Sequence, residues 1–210
     1  VEPSFEEDPM GEQSTEPSIM SGRLVVVRHG QTDWNKAGKM QGSTDIPLND
    51  TGREQARTAG RRLRELTAPG DSWDALVASP LSRAQETARI IGEYIGISEV
   101  ETVPGIIERS YGEAEGEVLS YEDTRHPQDL YAGVEPEAEV YRRGVEALRE
   151  VVRSHPGQEV VAVSHGTLIR RVLIATTPGD WSARIPNAEA LEVDLEGLFS
   201  WDPAGLELTD

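Results

Sequence analysis

Along the chain, short unbroken apolar runs alternate with longer stretches in which apolar residues recur every three or four positions. Residues 24–27 (LVVV) and 75–78 (ALVA) are runs of four, too short for a helix, and read as buried strands. Residues 159–163 read as a fourth strand and 99–103 as a third, weaker one. Helical periods fill the intervals. Residues 51–66 place Ala56, Ala59, Leu63 and Leu66 on one face, with Thr51 as the candidate cap; residues 80–95 begin on proline and align Ala84, Ala88, Ile91 and Ile95. Residues 135–155 carry Val140, Val145, Leu148 and Val152, and residues 166–177 form a last helix. Residues 190–195 and 199–201 read as a terminal strand pair turning at Glu196-Gly197. Strands alternating with helices predict an α/β fold: a three-layer α/β/α sandwich around a mainly parallel central sheet.

Composition narrows the picture. At 210 residues the chain is within the usual range for one domain. The N-terminal residues 1–22 stand apart, with six acids, three prolines, no Lys or Arg and few large apolar residues, and are expected to be a disordered extension before a domain at 23–210. They hold no secretory apolar core, so the expected location is cytoplasmic. Met10 and Met20 are candidate translation starts. The net charge of −18 argues against a nucleic-acid partner and against attraction to anionic lipid, and no apolar run approaches the roughly 18 residues of a membrane span. The absence of cysteine removes thiol catalysis, disulfides and zinc-thiolate sites.

In an open α/β sheet, ligands bind beyond the carboxyl ends of the strands. The residues that follow the four expected strands are Arg28-His29-Gly30, Ser79-Pro80-Leu81-Ser82-Arg83, a loop containing Glu108-Arg109-Ser110-Tyr111-Gly112, and Ser164-His165-Gly166. Two histidines, at least two arginines and a carboxylate therefore gather at one edge. Two guanidinium forks can clamp a phosphoryl group, a neutral imidazole is a competent nucleophile, a second histidine can donate to a phosphoryl oxygen, and a carboxylic acid can protonate a departing alkoxide. Such a set can stabilise phosphoryl transfer without a metal. The glycine after each histidine is expected to let the backbone approach the phosphate. Taken singly, these residues have ordinary structural explanations. A histidine after a strand is commonly structural, and Arg83 alone is a cation in a first helical turn, where the dipole disfavours it. His126 and His155 have no motif around them and read as surface residues.

The order and spacing of RHGQTDWN at 28–35, QG at 41–42, TDIPLNDTGREQA at 44–56, SPLSRAQETA at 79–88, ERSYGEAEG at 108–116 and VSHG at 163–166 resemble the histidine phosphatase superfamily, in its phosphoglycerate-mutase-like branch, over residues 24 to about 190. The resemblance implies a phosphoglycerate mutase-like fold, with His29 as the nucleophile that forms a phosphohistidine. It implies Arg28, Arg83 and His165 as the rest of the phosphate pocket, and Glu108 as general acid and then base. Thr32, Asn35, Gln41 and Gly42 would be supporting phosphate or substrate contacts. Arg109 and Tyr111 would touch substrate or pack the loop. It implies no cofactor and no metal, and a small-molecule phosphate ester as the partner, and it leaves a homodimer open. Glu113, Glu115 and Glu117 read as a solvated acidic face, although Glu115 matches a family position; Trp34 reads as packing, and Asn187-Ala188 as a turn without chemistry.

Three functions share this pattern: a phosphomonoesterase acting on sugar-phosphate or phosphoglycerate-type esters, a cofactor-dependent phosphoglycerate mutase, and an inactive phosphate-binding protein. ERSYG resembles the mutase form. The short interval 117–132, with Arg125 as its sole arginine, and the end of the chain soon after Trp201 favour the phosphatase. No pocket position is substituted, which disfavours the inactive reading. Ala114, where many such phosphatases have an aromatic residue, and Val134-Glu135-Pro136, where many have Gly-Glu-Ser, bear on substrate identity. A bell-shaped pH profile with an acidic-to-neutral optimum follows from a neutral His29 and a protonated Glu108.

Overall fold

The computed structural model describes residues 18–68, 71–120, 123–124 and 126–205. The expected extension at 1–22 falls mostly outside the described residues, as does Arg125. Five strands, β1 (Arg23–Arg28), β2 (Ala75–Ala78), β3 (Glu101–Thr102), β4 (Glu159–Ser164) and β5 (Ala190–Glu192), form one sheet in the order β3-β2-β4-β1-β5. The first four are parallel, and β5 runs antiparallel to β1 at the edge. The helices are α1 (Asp33–Lys36), α2 (Asp50–Glu65), α3 (Ser82–Ile95), α4 (Glu137–Ser154), α5 (Gly166–Thr176) and α6 (Leu195–Ser200). None of the described helices is long and apolar enough to cross a membrane.

The unbroken apolar strands are explained by burial on both faces. Val25, Val27, Leu76, Ala78, Val161 and Val163 face α2 and α3, where Ala59, Leu63, Ala84, Ala88 and Ile91 cover them. Leu24, Val26, Ala75, Val77, Val160 and Ala162 face the opposite layer, built from Val140, Val145, Leu148 and Val152 of α4 and Leu168, Ile169, Val172 and Leu173 of α5. Alternate residues serve opposite faces because side chains alternate along a strand. The result is the expected three-layer sandwich with a mainly parallel sheet.

Several boundaries differ from the expectation. Asn49, not Thr51, caps α2, its side-chain oxygen accepting from Gly52 N at 2.9 Å. Helix α3 starts at Ser82 with Pro80 ahead of it, and β3 is only two residues long because the chain turns into a 3-10 segment at Pro104–Ile106. The terminal strand pair is half right: β5 is a strand, but Leu195–Ser200 is a helix. Asp194 caps it by accepting from Glu196 N at 3.0 Å, and Leu198 and Phe199 join the α4/α5 layer.

Candidate active site

Register brings distant residues together. Arg28 lies opposite Ser164 and Ala78 opposite Val163, so the next residue of each strand, His29, His165 and Ser79, emerges at the same edge. The parallel ladder continues through them: His29 N donates to Ser164 O at 2.9 Å and Ser79 N to Val163 O at 3.0 Å. The two imidazole centroids are 5.2 Å apart. Arg83 enters from the first turn of α3, and Glu108 from the loop after β3.

His29 is buried, and its Nδ1 lies 2.7 Å from Gly30 O. A carbonyl only accepts, so Nδ1 carries the proton and Nε2 keeps its lone pair. Burial, reinforced by the charges of Arg28 and Arg83, holds the imidazole well below the usual histidine range, so it is neutral at pH 7. Burial and the charge of Arg83 depress His165 in the same way. His165 Nε2 is 2.7 Å from Ser79 Oγ, leaving Nδ1 unpartnered.

Both arginines are buried cations. Arg83 is fully buried, and its Nη1 and Nη2 donate to Thr44 O at 2.8 Å and Gly42 O at 2.6 Å. Arg28 Nη1 donates to Ile185 O at 2.5 Å. Burial lowers Arg83 to about 10; burial and then the charge of Arg184 lower Arg28 to about 10, and both stay charged at neutral pH. Among the described residues, four buried side-chain nitrogens lack a partner, and three of them are here: Arg28 Nε, Arg83 Nε and His165 Nδ1. Buried polar groups are rarely left unpaired, and such a cluster around a neutral histidine fits an anionic ligand.

Glu108 is buried beside the N-terminus of α5. Its Oε1 accepts from Leu168 N at 3.1 Å and Arg109 N at 2.8 Å, and its Oε2 from Thr167 N at 3.1 Å. Arg143 fixes the same loop, donating to Gly105 O, Ile107 O and Glu108 O while paired with both oxygens of Glu135. Glu135 therefore serves the scaffold of the acid-bearing loop.

The supporting residues fall into place around His29. Thr32 and Asn35 form a reciprocal capping box on α1, and the Thr32 hydroxyl donates to Gln41 Oε1. Gln41 and Gly42 lie in the loop that holds Arg83. Asn187, read from the sequence as a turn without chemistry, donates to His29 O at 3.0 Å and to Asn35 Oδ1 at 3.2 Å, tying two parts of the site together. Tyr111 is buried with its hydroxyl 2.8 Å from Thr167 Oγ1, next to Glu108's donor. Arg109 donates to Glu135 O at 2.9 Å and stacks 5.4 Å from the Tyr111 ring, which favours its packing role. His126 is exposed as expected; His155 is half-buried, bonded to Val151 O and Glu101.

Two expectations are corrected. Gly30 is required by another backbone, since a Cβ there would collide with Gly52 at the start of α2; at Gly166 a Cβ would press on the Arg28 side chain at 3.1 Å from Nε. Glu115 is no solvated acid. It accepts from Ser43 N and Oγ, each at 3.0 Å, from Thr44 N at 2.9 Å, from the Thr44 hydroxyl, and from Tyr111 N at 3.0 Å. These bonds shape the segment whose carbonyls hold Arg83. The Gly that follows Glu115, close against Trp34, was the one sequence cue that set it apart from the acids beside it. Glu115→Ala is expected to lower stability by about 2 kcal/mol and the Tm by several degrees, because five donors lose a charged acceptor. Calorimetry of the two proteins checks this, and an unchanged Tm would contradict it.

Known proteins share the sequence pattern and the fold. The model of the histidine phosphatase superfamily (branch 1) matches residues 24–197. An uncharacterised phosphatase of Bacillus subtilis, PhoE, is 42% identical over 168 residues, covering 79% of this chain and 84% of that protein. A 2,3-bisphosphoglycerate-dependent phosphoglycerate mutase of Rhizobium rhizogenes is 32% identical over 177 residues, covering 74% and 79%. The solved structure of a mycobacterial glucosyl-3-phosphoglycerate phosphatase superimposes with a TM-score of 0.66 at 28% identity, covering 81% of this chain and 88% of that one.

Proposed function

The chain belongs to the histidine phosphatase superfamily, and from that premise we propose that it is a metal-independent phosphomonoesterase hydrolysing small sugar-phosphate or phosphoglycerate-type esters through a phosphohistidine. The observation that carries the reading is His29: a buried, neutral imidazole with Nδ1 pinned to Gly30 O, set between two buried guanidinium groups with unpartnered nitrogens. The phosphoryl group sits between Arg28, Arg83 and His165. His29 Nε2 attacks phosphorus, the bond to the ester oxygen breaks, and Glu108 gives its proton to that oxygen. Water then attacks the phosphohistidine, Glu108 takes the water's proton, and phosphate leaves with His29 Nε2 restored. The arginines balance the charge on the transferred group throughout.

The mutase relative supports a second reading, in which the phosphohistidine passes its group back to a phosphoglycerate. The engagement of Arg109 with Glu135 O weighs against it, because that cation is already committed to the loop. A panel of phosphate esters assayed in EDTA, with 3-phosphoglycerate tested with and without its bisphosphate, separates the readings. Phosphate release in EDTA is the expected result. Appearance of 2-phosphoglycerate without release would establish the mutase, and activity only after metal addition would overturn metal independence.

A further inference from the structure

His165 can donate to a phosphoryl group only if the right ring nitrogen carries its proton, and a serine that the chemistry above does not use decides which one does. Ser79 follows β2 and is fully buried, as is His165. Its backbone is held on both sides: N donates to Val163 O at 3.0 Å, and O accepts from Gln85 Nε2 at 2.9 Å. Pro80 comes next and brings no N–H to compete for the hydroxyl. The parallel pairing of β2 with β4 then sets Ser79 Oγ 2.7 Å from His165 Nε2. The other ring nitrogen, Nδ1, is buried without a partner among the described residues, like Arg28 Nε and Arg83 Nε.

Burial, and then the charge of Arg83, keep His165 neutral, and a neutral imidazole has one N–H and one lone pair. Two arrangements are open. In the first, Nε2–H donates to Ser79 Oγ. The serine's own proton then has no acceptor among the described residues, because the other group at Oγ is itself a donor, Leu81 N at 3.4 Å. Nδ1 is left with a bare lone pair, which repels an anion. In the second, Ser79 donates to Nε2, Leu81 N meets a free lone pair on Oγ, and Nδ1 carries the hydrogen. A buried hydroxyl proton without an acceptor is costly, and the bond made by one ring nitrogen fixes the state of the other. The hydrogen-bond inventory therefore assigns the second arrangement.

We propose that Ser79 is a positioning residue that holds His165 in the Nδ1–H tautomer, so that a neutral histidine meets the phosphoryl group as a donor. This rests on the phosphatase reading for the group that accepts from Nδ1. The proton stays on Nδ1 throughout: His165 stabilises the transferred group and exchanges nothing with it. The test reads the ring nitrogens of wild type, Ser79→Ala and Ser79→Thr by 15N NMR, with inorganic phosphate as the ligand. Wild-type His165 is expected to carry its proton on Nδ1. In Ser79→Ala, Nε2 loses its donor, and the proton should appear on Nε2 in part or in full. Binding of inorganic phosphate should weaken about tenfold and kcat should fall by about the same factor. Ser79→Thr keeps a hydroxyl and should return the proton to Nδ1 and most of the phosphate affinity. A wild-type proton on Nε2 overturns the proposal whatever the variants do. So does an Ser79→Ala protein that keeps the Nδ1–H tautomer, or one that binds inorganic phosphate as tightly as wild type. If wild type releases phosphate from no ester, the phosphatase reading fails separately, and the ring spectra and phosphate binding still decide the role of Ser79.

Discussion

Replacing His29 by alanine is expected to cut phosphate release by about ten-thousand-fold or more, because the variant loses the nitrogen that receives the phosphoryl group and keeps only positioning and charge. A residual rate within a hundredfold of wild type would show that phosphorus is attacked by something else. The same variant reports on the buried imidazole through pH. Folded His29 is held well below 6.5, mainly by burial and then by Arg28 and Arg83, whereas in the unfolded chain it takes up a proton near 6.5. Below that pH the unfolded state binds the extra proton, so this residue's contribution falls as pH falls, by about 1.4 kcal/mol per unit. Denaturant titrations from pH 7 to pH 5 should therefore show wild type losing more stability than His29→Ala, narrowing the gap between them. A parallel decline would mean that His29 titrates normally in the folded protein. For the same reason the acid limb of the wild-type activity profile is expected to lie below pH 6.5. His29 has already lost its proton there and remains a nucleophile.

The second large effect is expected at Arg83. Arg83→Ala removes a buried cation and strands the carbonyls of Gly42 and Thr44, so kcat should fall a hundred- to a thousandfold, by about the loss of one preorganised charge donor. Stability should fall by about 2–4 kcal/mol, from the unpaired carbonyls and the emptied volume. Arg83→Lys restores the charge but offers a point donor in place of a fork. It cannot serve two carbonyls and a phosphoryl oxygen together, and should remain at least about tenfold impaired. Steady-state kinetics with inhibition by inorganic phosphate checks both variants. If Arg83→Ala loses stability but keeps its kcat and its phosphate inhibition, Arg83 is a scaffold residue only.

The sequence was most informative where local pattern and tertiary environment agree. Strands β1, β2 and β4 are buried on both faces, so their apolar runs are continuous, and the residues at their carboxyl ends announce the site. Helix α6 was missed because Phe199 and Trp201 alternate with polar residues as a strand would. What makes the segment helical is Asp194 at its start and the seat of Gly197 against the Thr176 carbonyl, a contact between segments that no short window contains. Glu115 was hidden for a different reason. In a chain with 38 acids, only the glycine after Glu115 hints that this carboxylate organises donors rather than facing water. Asn187 acts through one amide reaching across 158 positions to His29. The family resemblance supplied the order of the motifs, whereas these two residues needed coordinates.

Strand β1 is made early and paired late. Its neighbours in the sheet are β4, which ends at Ser164, and β5, which begins at Ala190. While the ribosome builds the intervening residues, the LVVV run has neither parallel nor antiparallel partner, so the first strand synthesised is a sticky, unsatisfied edge for most of translation. The pairing that relieves it is the same pairing that sets His29 beside His165. Aggregation resistance during synthesis and possession of a working site therefore arrive in one late step, and slow, long-range strand closure is expected to limit both.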